Sequence, residues 1–291
     1  MTHEYYGELE VWNDIYDGSI DTDIAIYGSS RAWVDISPKI LKDSLNLKAY
    51  NFGLDGHNFW LQYLRHLEYI EYNPHPKHIL LAVDYNSIQK RKNLYLYEQF
   101  LPYMLWNDNI KYYTNSYEGF STYDYYIPLL RYAGKSTQLK EAFEPRNTQT
   151  KGKAYRKRGY KGVEKQWSTD FEKAKSNLKE YYINIDQGSL NLLDKFLLEC
   201  KTNGTTVSLI YTPEYIEGQK FIKNRDTIIK IYQNFAKEYN IPFLDYSMDS
   251  ICFNKDYFYN AIHLNKKGSE LFSKTLSKDL KDVVDIQQLQ N

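Results

Sequence analysis

The chain has 291 residues, which is long enough to bury a sizeable core as one large domain or as a domain with an insertion. Lysine plus arginine balance aspartate plus glutamate at 37 each, so no overall field attracts nucleic acid or an anionic membrane. The two cysteines, Cys200 and Cys252, form no disulfide framework, and no Cys/His cluster has zinc-ligand spacing. We expect both cysteines to be small, buried, apolar residues.

The chain contains no apolar run of the roughly 18 to 20 residues that span a bilayer, and its first twenty residues lack the pattern of a secretory signal. We therefore expect a soluble, cytoplasmic chain, or a periplasmic or membrane-anchored one if an N-terminal segment has been trimmed. Tyrosine is unusually frequent, with 30 residues. Its apolar ring and polar tip suit amphipathic surfaces, sugar-facing clefts and half-buried helices alike.

Strand-like and helix-like patterns alternate over the first ninety residues. A leading arm with a short helix precedes the first strand. The predicted strands are 23–27, 48–52 and 78–83, and the predicted helices are 8–15, 38–45 and 58–72. The third strand is continuously apolar, as expected when both faces of a parallel sheet are covered.

A middle section, residues 89–187, interrupts this alternation. Its first half is rich in aromatic residues, and its second half carries the basic run 151–161. We interpret the section as an inserted aromatic and basic lid over the carboxyl edge of the sheet. The alternation then resumes with predicted helices 190–200, 218–239 and 264–280 and predicted strands 206–211 and 243–245. This pattern predicts a single domain, 1–291, with about five parallel strands covered by helices on both faces.

Small and polar residues follow the predicted strands. The first strand ends in Gly28-Ser29-Ser30, the second leads to Gly56, the third leads to Asn86, and His263 precedes the last helix. Open α/β sheets bind their ligands at the carboxyl edge of their strands. The order of these motifs therefore predicts a functional site at that edge.

In these motifs the chain resembles the SGNH/GDSL hydrolase superfamily, whose fold is a three-layer α/β/α, flavodoxin-like sandwich. The resemblance covers about residues 20–90 and 190–280. It implies that Ser30 is the nucleophile and His263 the base, and that Ser30, Gly56 and Asn86 form the oxyanion hole. The Gly-Ser-Ser-Arg turn is similar to that of bacterial cell-envelope members, some of which act on or acylate glycans.

These residue types suit acyl transfer. A serine hydroxyl becomes a good nucleophile when an adjacent imidazole can take its proton. The tetrahedral intermediate needs hydrogen-bond donors, and two backbone N–H groups with an amide side chain can supply three. This chemistry requires no metal and no organic cofactor.

One position departs from the family pattern. Asn260 stands where the family has a carboxylate three residues before the histidine. An amide can accept a hydrogen bond from the imidazole, but it is neutral and can favour the wrong tautomer. Either a Ser-His pair works with Asn260 alone, or Asp245, Asp249 or Asp256 replaces the acid, or the site is impaired.

Four further candidates have alternative interpretations. Arg31 can pair with Asp55 or Asp84, or it can bind a substrate carboxylate in a bidentate manner. His57 can line a substrate cleft or lie in a solvated loop. The basic run 151–161 can recognise an acidic glycan, but as a plain charge cluster it is more typical of a solvated, mobile loop. Asn86 can also cap the helix that follows it.

The sequence thus predicts a serine esterase that removes acyl groups, with acetyl as the expected group, from a carbohydrate or envelope glycan. A glycan O-acyltransferase with the same site is the nearest alternative. A non-catalytic member that binds a glycan or a partner is the alternative from another class. No nucleic-acid partner is expected, and the oligomeric state stays open.

Overall fold

The computed structural model describes residues 4–143, 155–168, 170–177 and 181–290. The first part of the chain forms α1 (Glu4–Tyr16), β1 (Ile24–Gly28), α2 (Ser30–Asp35), α3 (Pro38–Leu45), β2 (Ala49–Asn51), α4 (Phe59–Tyr72) and β3 (His78–Ala82). The middle section includes α5 (Asp108–Thr114), α6 (Ser136–Phe143) and α7 (Asp170–Asn177). The last part forms α8 (Gln187–Asn203), β4 (Thr206–Tyr211), α9 (Ile216–Gln219), α10 (Arg225–Tyr239), β5 (Phe243–Asp245), β6 (Phe258–Asn260), β7 (His263–Leu264), α11 (Lys266–Val283) and α12 (Ile286–Gln290).

The main sheet has five strands in the order β2-β1-β3-β4-β5, and each neighbouring pair is parallel. Ile24 of β1 lies beside Ala49 and His78, which are the first residues of β2 and β3. This strand order is that of flavodoxin-like sheets. The predicted three-layer α/β/α fold with about five parallel strands is therefore confirmed. The short antiparallel pair β6-β7 was not predicted.

The core has one apolar layer on each face of the sheet. Side chains alternate between the faces along a strand, so Ala25 and Tyr27 join one layer while Ile24 and Ile26 join the other. The first layer contains residues of α1, α4, α8 and α10, and the second contains residues of α3 and α11. Every residue of β1 and β3 is buried, as expected for central parallel strands.

Local sequence signals set several helix boundaries. Ser37 caps α3, Pro38 occupies its first turn, and Asn265 caps α11 by accepting a 3.0 Å hydrogen bond from the N–H of Gly268. The last helix, predicted over 264–280, thus begins at Lys266 and ends at Val283. Cys200 and Cys252 are free and buried, as predicted.

The middle section packs largely on α1 and α4 through aromatic side chains. Tyr103 stacks on Tyr16 with ring centroids 4.4 Å apart, and Tyr113 meets the ring of Trp60 edge to face. Other aromatic residues of the section, such as Trp106 and Tyr123, are exposed. The role of this section as a lid stays a prediction.

Residues 155–161 form a strap along the edge of β2. The N–H of Asn51 donates to the carbonyl of Arg158 at 2.9 Å, and the N–H of Lys161 donates to the carbonyl of Trp33. Arg156 is buried. The expectation of a solvated loop is therefore wrong for the backbone and for Arg156 of this part of the basic run, which are packed against the sheet, whereas Lys157 and Arg158 are exposed; residues 151–154 lie outside the described residues.

Over residues 4–143, 155–168, 170–177 and 181–290, no helix combines the length and apolar character that crossing a membrane requires. Within the same ranges, no group of three or more His, Cys, Asp or Glu side chains is placed to hold a metal ion.

Candidate active site

Ser30 is the first residue of α2, and only Ser29 separates it from the end of β1. The preceding Ser29 caps the helix by accepting a hydrogen bond from the N–H of Arg31, and its own hydroxyl donates to Asp84 at the end of β3. Gly28 has φ +143°, and a Cβ there would lie 2.6 Å from the carbonyl oxygen of Ala82. The turn therefore requires glycine. The N–H of Ser30, as the first residue of the helix, has no acceptor within the helix.

His263 reaches this turn from the far end of the chain. It lies on β7, which pairs with β6 so that Asn260 is opposite His263. His263 Nε2 is 2.7 Å from Ser30 Oγ. The structure thus brings together the two side chains for which the sequence predicts the roles of nucleophile and base.

Asn260 fixes the orientation of the imidazole. Its side-chain oxygen accepts hydrogen bonds from the N–H groups of Ile262 and His263, at 3.0 and 2.9 Å, and lies 3.1 Å from His263 Nδ1. Two backbone donors can bind only the oxygen of the amide, so this oxygen faces the ring and Nδ1 must carry the proton. Nε2 is then the acceptor for the Ser30 hydroxyl. The unproductive tautomer, with the proton on Nε2, is therefore disfavoured.

The surroundings of His263 keep the ring neutral. Burial, followed by the positive charge of Arg31, lowers the pKa of His263 to about 3. The ring of Tyr259 stacks on the imidazole at 5.4 Å with an interplanar angle of 5°. The imidazolium that forms when a base takes a proton is therefore poorly stabilised in this site.

The aspartates considered as replacement acids lie elsewhere. Asp245 accepts a hydrogen bond from the N–H of Ser247, Asp249 accepts one from the N–H of Ile251, and Asp256 is exposed. Ser30 and Asn260 already occupy the two ring nitrogens of the histidine. The interpretation that one of these aspartates bonds to the base is therefore wrong.

Arg31 lies beneath the nucleophile turn and not in a substrate cleft. Its guanidinium is 2.6 Å from Glu214 Oε1 and donates to the Thr212 hydroxyl at 3.0 Å, and the residue is 1% exposed. The expected substrate-binding role is wrong because burial and these bonds remove the group from substrate. The expected pairing with Asp55 or Asp84 is also wrong, because the partner is Glu214.

Asp35 completes what we call the nucleophile-side cluster (Arg31, Asp35, Thr212 and Glu214). Its carboxylate accepts hydrogen bonds from the Thr212 hydroxyl and from the N–H of Leu264, both at 3.0 Å. The residue next to His263 is thereby tied to the end of the helix that begins at Ser30. Sequence reasoning missed Asp35, Thr212 and Glu214, although the last two follow β4 at the same sheet edge.

The turn after β2 is anchored to the nucleophile helix by Asn51. The amide of Asn51 donates to the carbonyls of Ala32 and Ile36 at 2.8 and 2.9 Å, and its oxygen accepts from the N–H of Gly53 at 2.9 Å. A Cβ on Gly53 would lie 2.5 Å from the N atom of Trp33. This close approach requires glycine, a constraint that the sequence alone did not assign to position 53.

Gly56 and Asn86 lie after β2 and β3, as predicted. Gly56 has φ +69° and a Cβ there would overlap the ring of Tyr95. Asn86 is half-buried and begins the 3-10 helix Asn86–Ile88, but the capping bond to the N–H of Ser87 comes from Asp84, at 2.8 Å. The alternative role of Asn86 as a cap is therefore wrong, and the oxyanion roles of Gly56 and Asn86 stay predictions.

His57 is 2% exposed, and its Nε2 lies 2.7 Å from the carbonyl oxygen of Tyr95. Burial lowers the pKa of His57 to about 4. Its predicted place in a substrate cleft and the alternative of a solvated loop are both wrong, because the ring is enclosed and bonded to the backbone.

No protein-family model matches the chain, and no curated protein matches it. Several solved structures are similar in shape. One is from Streptococcus pneumonia and is provisionally described as a platelet activating factor, with 15% identity, coverage of 95% of this chain and 90% of that chain, and a TM-score of 0.46. Another is an acetyl xylan esterase, with 12% identity, coverage of 90% and 99%, and a TM-score of 0.43. A third is a GDSL-like lipase from Bacteroides thetaiotaomicron, with 11% identity, coverage of 94% and 98%, and a TM-score of 0.42.

Proposed function

We propose that this chain is a serine esterase of the SGNH/GDSL type that removes acyl groups, with acetyl as the expected group, from a carbohydrate or envelope glycan. The observation that carries the proposal is the 2.7 Å contact between Ser30 Oγ and His263 Nε2 at the carboxyl edge of the sheet. A hydroxyl bonded to an oriented neutral imidazole is the arrangement that nucleophilic acyl transfer needs. The glycan substrate follows from the resemblance of the Gly-Ser-Ser-Arg turn to envelope members.

In the proposed reaction Ser30 Oγ attacks the ester carbonyl carbon while His263 Nε2 takes the hydroxyl proton. The negative oxygen of the tetrahedral intermediate is bound by the N–H groups of Ser30 and Gly56 and by the amide of Asn86. The intermediate collapses to the acyl-enzyme as the alcohol leaves with the proton from Nε2. Water then attacks the acyl-enzyme in the same way. This step releases the carboxylic acid and regenerates the free serine.

Asn260 limits the rate of this reaction. Its oxygen holds the ring in the productive tautomer, but an amide adds no negative charge beside the imidazolium. This neutral partner favours a second candidate function, in which the chain is a non-catalytic member that binds a glycan or a partner. The two candidate functions differ in whether Ser30 is acylated and deacylated in a catalytic cycle.

The test is hydrolysis of p-nitrophenyl acetate by the wild type, Ser30→Ala and the control Ser44→Ala, whose serine is exposed on α3. We expect Ser30→Ala to abolish the enzyme-dependent rate and Ser44→Ala to retain it. Equal rates for the wild type and Ser30→Ala would support the non-catalytic candidate. With a carbohydrate acceptor present, product analysis distinguishes hydrolysis from transfer of the acyl group to a sugar hydroxyl.

A further inference from the structure

A second buried ion cluster lies beneath the loop that joins β2 to α4. Glu8 of α1 is 2.6 Å from Arg65 of α4 and 2.6 Å from Arg156 of the strap. All three residues are buried. We call this group the loop-side cluster; it joins the leading arm, a helix of the α/β core and the inserted section.

The loop-side cluster binds the backbone of the loop directly. Glu8 accepts a hydrogen bond from the N–H of Asp55 at 3.0 Å. Arg65 and Arg156 each donate to the carbonyl oxygen of Gly53 at 3.2 Å. Two backbone groups of the loop are therefore held by charged side chains, and the residue that follows Asp55 is Gly56.

Glu8 is ionised in this environment. Burial alone raises its pKa, but the charges of Arg156 and Arg65 outweigh this effect and lower it to about 2. Removing three charged groups from water is costly, and a buried ion pair is weak evidence for stability. A cluster of this kind is better explained by the geometry that it imposes on the loop.

The strap that carries Arg156 is itself fixed and touches the nucleophile helix. The carboxylate of Glu10 accepts hydrogen bonds from the N–H groups of Tyr155 and Arg156, each at 2.6 Å. The guanidinium of Arg156 lies 4.2 Å from the ring centroid of Trp33, one turn after Ser30. One side chain thus contacts both the loop that contains Gly56 and the helix that begins at Ser30.

We propose that Glu8, together with Arg65 and Arg156, is a positioning residue that holds loop 53–57 so that the N–H of Gly56 faces the developing oxyanion. This inference rests on the proposed function, because it concerns the oxyanion hole of that site. It gives the leading arm and the strap, which lie outside the strand-helix alternation, a specific part in the reaction.

The test compares Glu8→Gln with Glu68→Gln. Glu68 is also buried and lies on α4, close to Arg65. It accepts a 2.6 Å hydrogen bond from the hydroxyl of Tyr16 on α1. Glu68 therefore bridges the same two helices as Glu8, but this bond does not involve the loop. We expect Glu8→Gln to lower kcat for p-nitrophenyl acetate about 10- to 100-fold with little change in KM, since complete loss of one oxyanion donor costs about 100- to 1000-fold and a displaced donor costs less. Binding of a trifluoromethyl ketone, which forms a tetrahedral oxyanion on serine, should weaken by a similar factor. Glu68→Gln should change neither.

Glu8→Gln leaves two buried guanidinium groups without a counterion, so a second variant protects the test against misfolding. Arg156→Gln keeps the pair of Arg65 and Glu8, and it should lower kcat and raise amide hydrogen exchange in loop 53–57 at least tenfold. Unchanged kcat and unchanged exchange in folded Arg156→Gln would overturn the proposal. If the wild type hydrolyses no ester, the proposed function fails, whereas loop exchange still decides whether the cluster holds the loop.

Discussion

Two buried ion clusters contact the segments around Ser30, and they draw on different parts of the chain. The nucleophile-side cluster takes Arg31 and Asp35 from α2 and Glu214 from the segment after β4, all within the regular α/β alternation. The loop-side cluster takes Arg65 from α4 of the regular fold, but Glu8 comes from the arm and Arg156 from the strap. The regular fold alone supplies the cluster beside Ser30 and His263, the proposed nucleophile and base, whereas the cluster beneath loop 53–57 also needs the additions to that fold.

The clusters also differ in how their charges are shared. In one, Arg31 faces Glu214 and the neighbouring Asp35, and burial raises the pKa of Asp35 to about 8. In the other, Glu8 is shared by two arginines. Loss of a cation therefore leaves a buried carboxylate without its main partner on the nucleophile side, but it leaves an intact ion pair on the loop side.

The largest expected effect tests this difference in charge sharing. Arg31→Gln should lower the free energy of unfolding by about 3–5 kcal/mol. Among the described residues, the buried Glu214 then keeps the Tyr211 hydroxyl at 3.0 Å and, as its cationic partner, the more distant Arg225, whose Nε is 3.8 Å away. Arg156→Gln should cost less, because Arg65 still pairs with Glu8. Urea denaturation of both variants measures the two losses. Equal losses would show that the clusters do not differ in the way their geometry indicates.

The next effect concerns the base. Asn260→Asp keeps both backbone hydrogen bonds and adds a negative charge beside His263 Nδ1. Loss of the acid costs about 10⁴-fold where it also imposes the wrong tautomer. Because the tautomer is already productive here, we expect a smaller gain of about 10- to 1000-fold in kcat/KM for p-nitrophenyl acetate.

Asn260→Ala provides the control for this change. It removes the acceptor that orients the ring, so its kcat/KM should fall below that of the wild type. A wild-type rate in Asn260→Asp would mean that the charge of the imidazolium is not what limits the reaction.

Features set by local sequence could be predicted, whereas the partners in the two buried ion clusters could not. The strand positions, the turn at Ser30 and the helices α3 and α11 follow from local patterns, because apolar runs, Gly-Ser turns and Ser-Pro starts act within a few residues. The meeting of Ser30 and His263 was implied by the resemblance to the SGNH/GDSL superfamily, which rests on the turn after the first strand and the motif before the last helix. The partner of Arg31 and the burial of Arg156 could not be predicted, because a charged residue is usually solvated and its partner in a buried pair is set by tertiary packing.

A smaller effect is expected from a substitution of Gly56, the glycine of loop 53–57 that is predicted to bind the oxyanion. Gly56→Ala places a side chain at φ +69° and against the ring of Tyr95. We expect a loss of about 1–2 kcal/mol in the free energy of unfolding from the left-handed backbone and a further fall in kcat from displacement of the N–H. Gly204→Ala is the matched control, since it has φ +76° with open space around the position, at the end of α8. Gly204→Ala should lose stability through the backbone alone, without a clash, and should lose no activity. A fall in kcat as large as that of Gly56→Ala would remove the evidence for a local role of Gly56.

The smallest expected effect is on the pH dependence of kcat/KM, which should show no acid limb from His263 in the ordinary pH range. A general base acts when it is unprotonated, so activity falls as the pH drops below its pKa. Because burial and Arg31 lower the pKa of His263 to about 3, kcat/KM of the wild type should stay nearly constant from pH 8 to 5. Asn260→Asp raises that pKa by placing a carboxylate at Nδ1, so its acid limb should appear at higher pH.

The same lowered pKa affects stability with a definite sign. The unfolded chain binds a proton at His263 near the ordinary pKa of about 6.5, whereas the folded chain does not until about pH 3. The free energy of unfolding should therefore fall as the pH drops through this window, by up to about 1.4 kcal/mol per pH unit for this group. Initial rates taken before unfolding separate the two effects. A wild-type acid limb near pH 6.5 in kcat/KM, with the chain still folded, would show that the imidazole is not held neutral between Ser30 and Asn260.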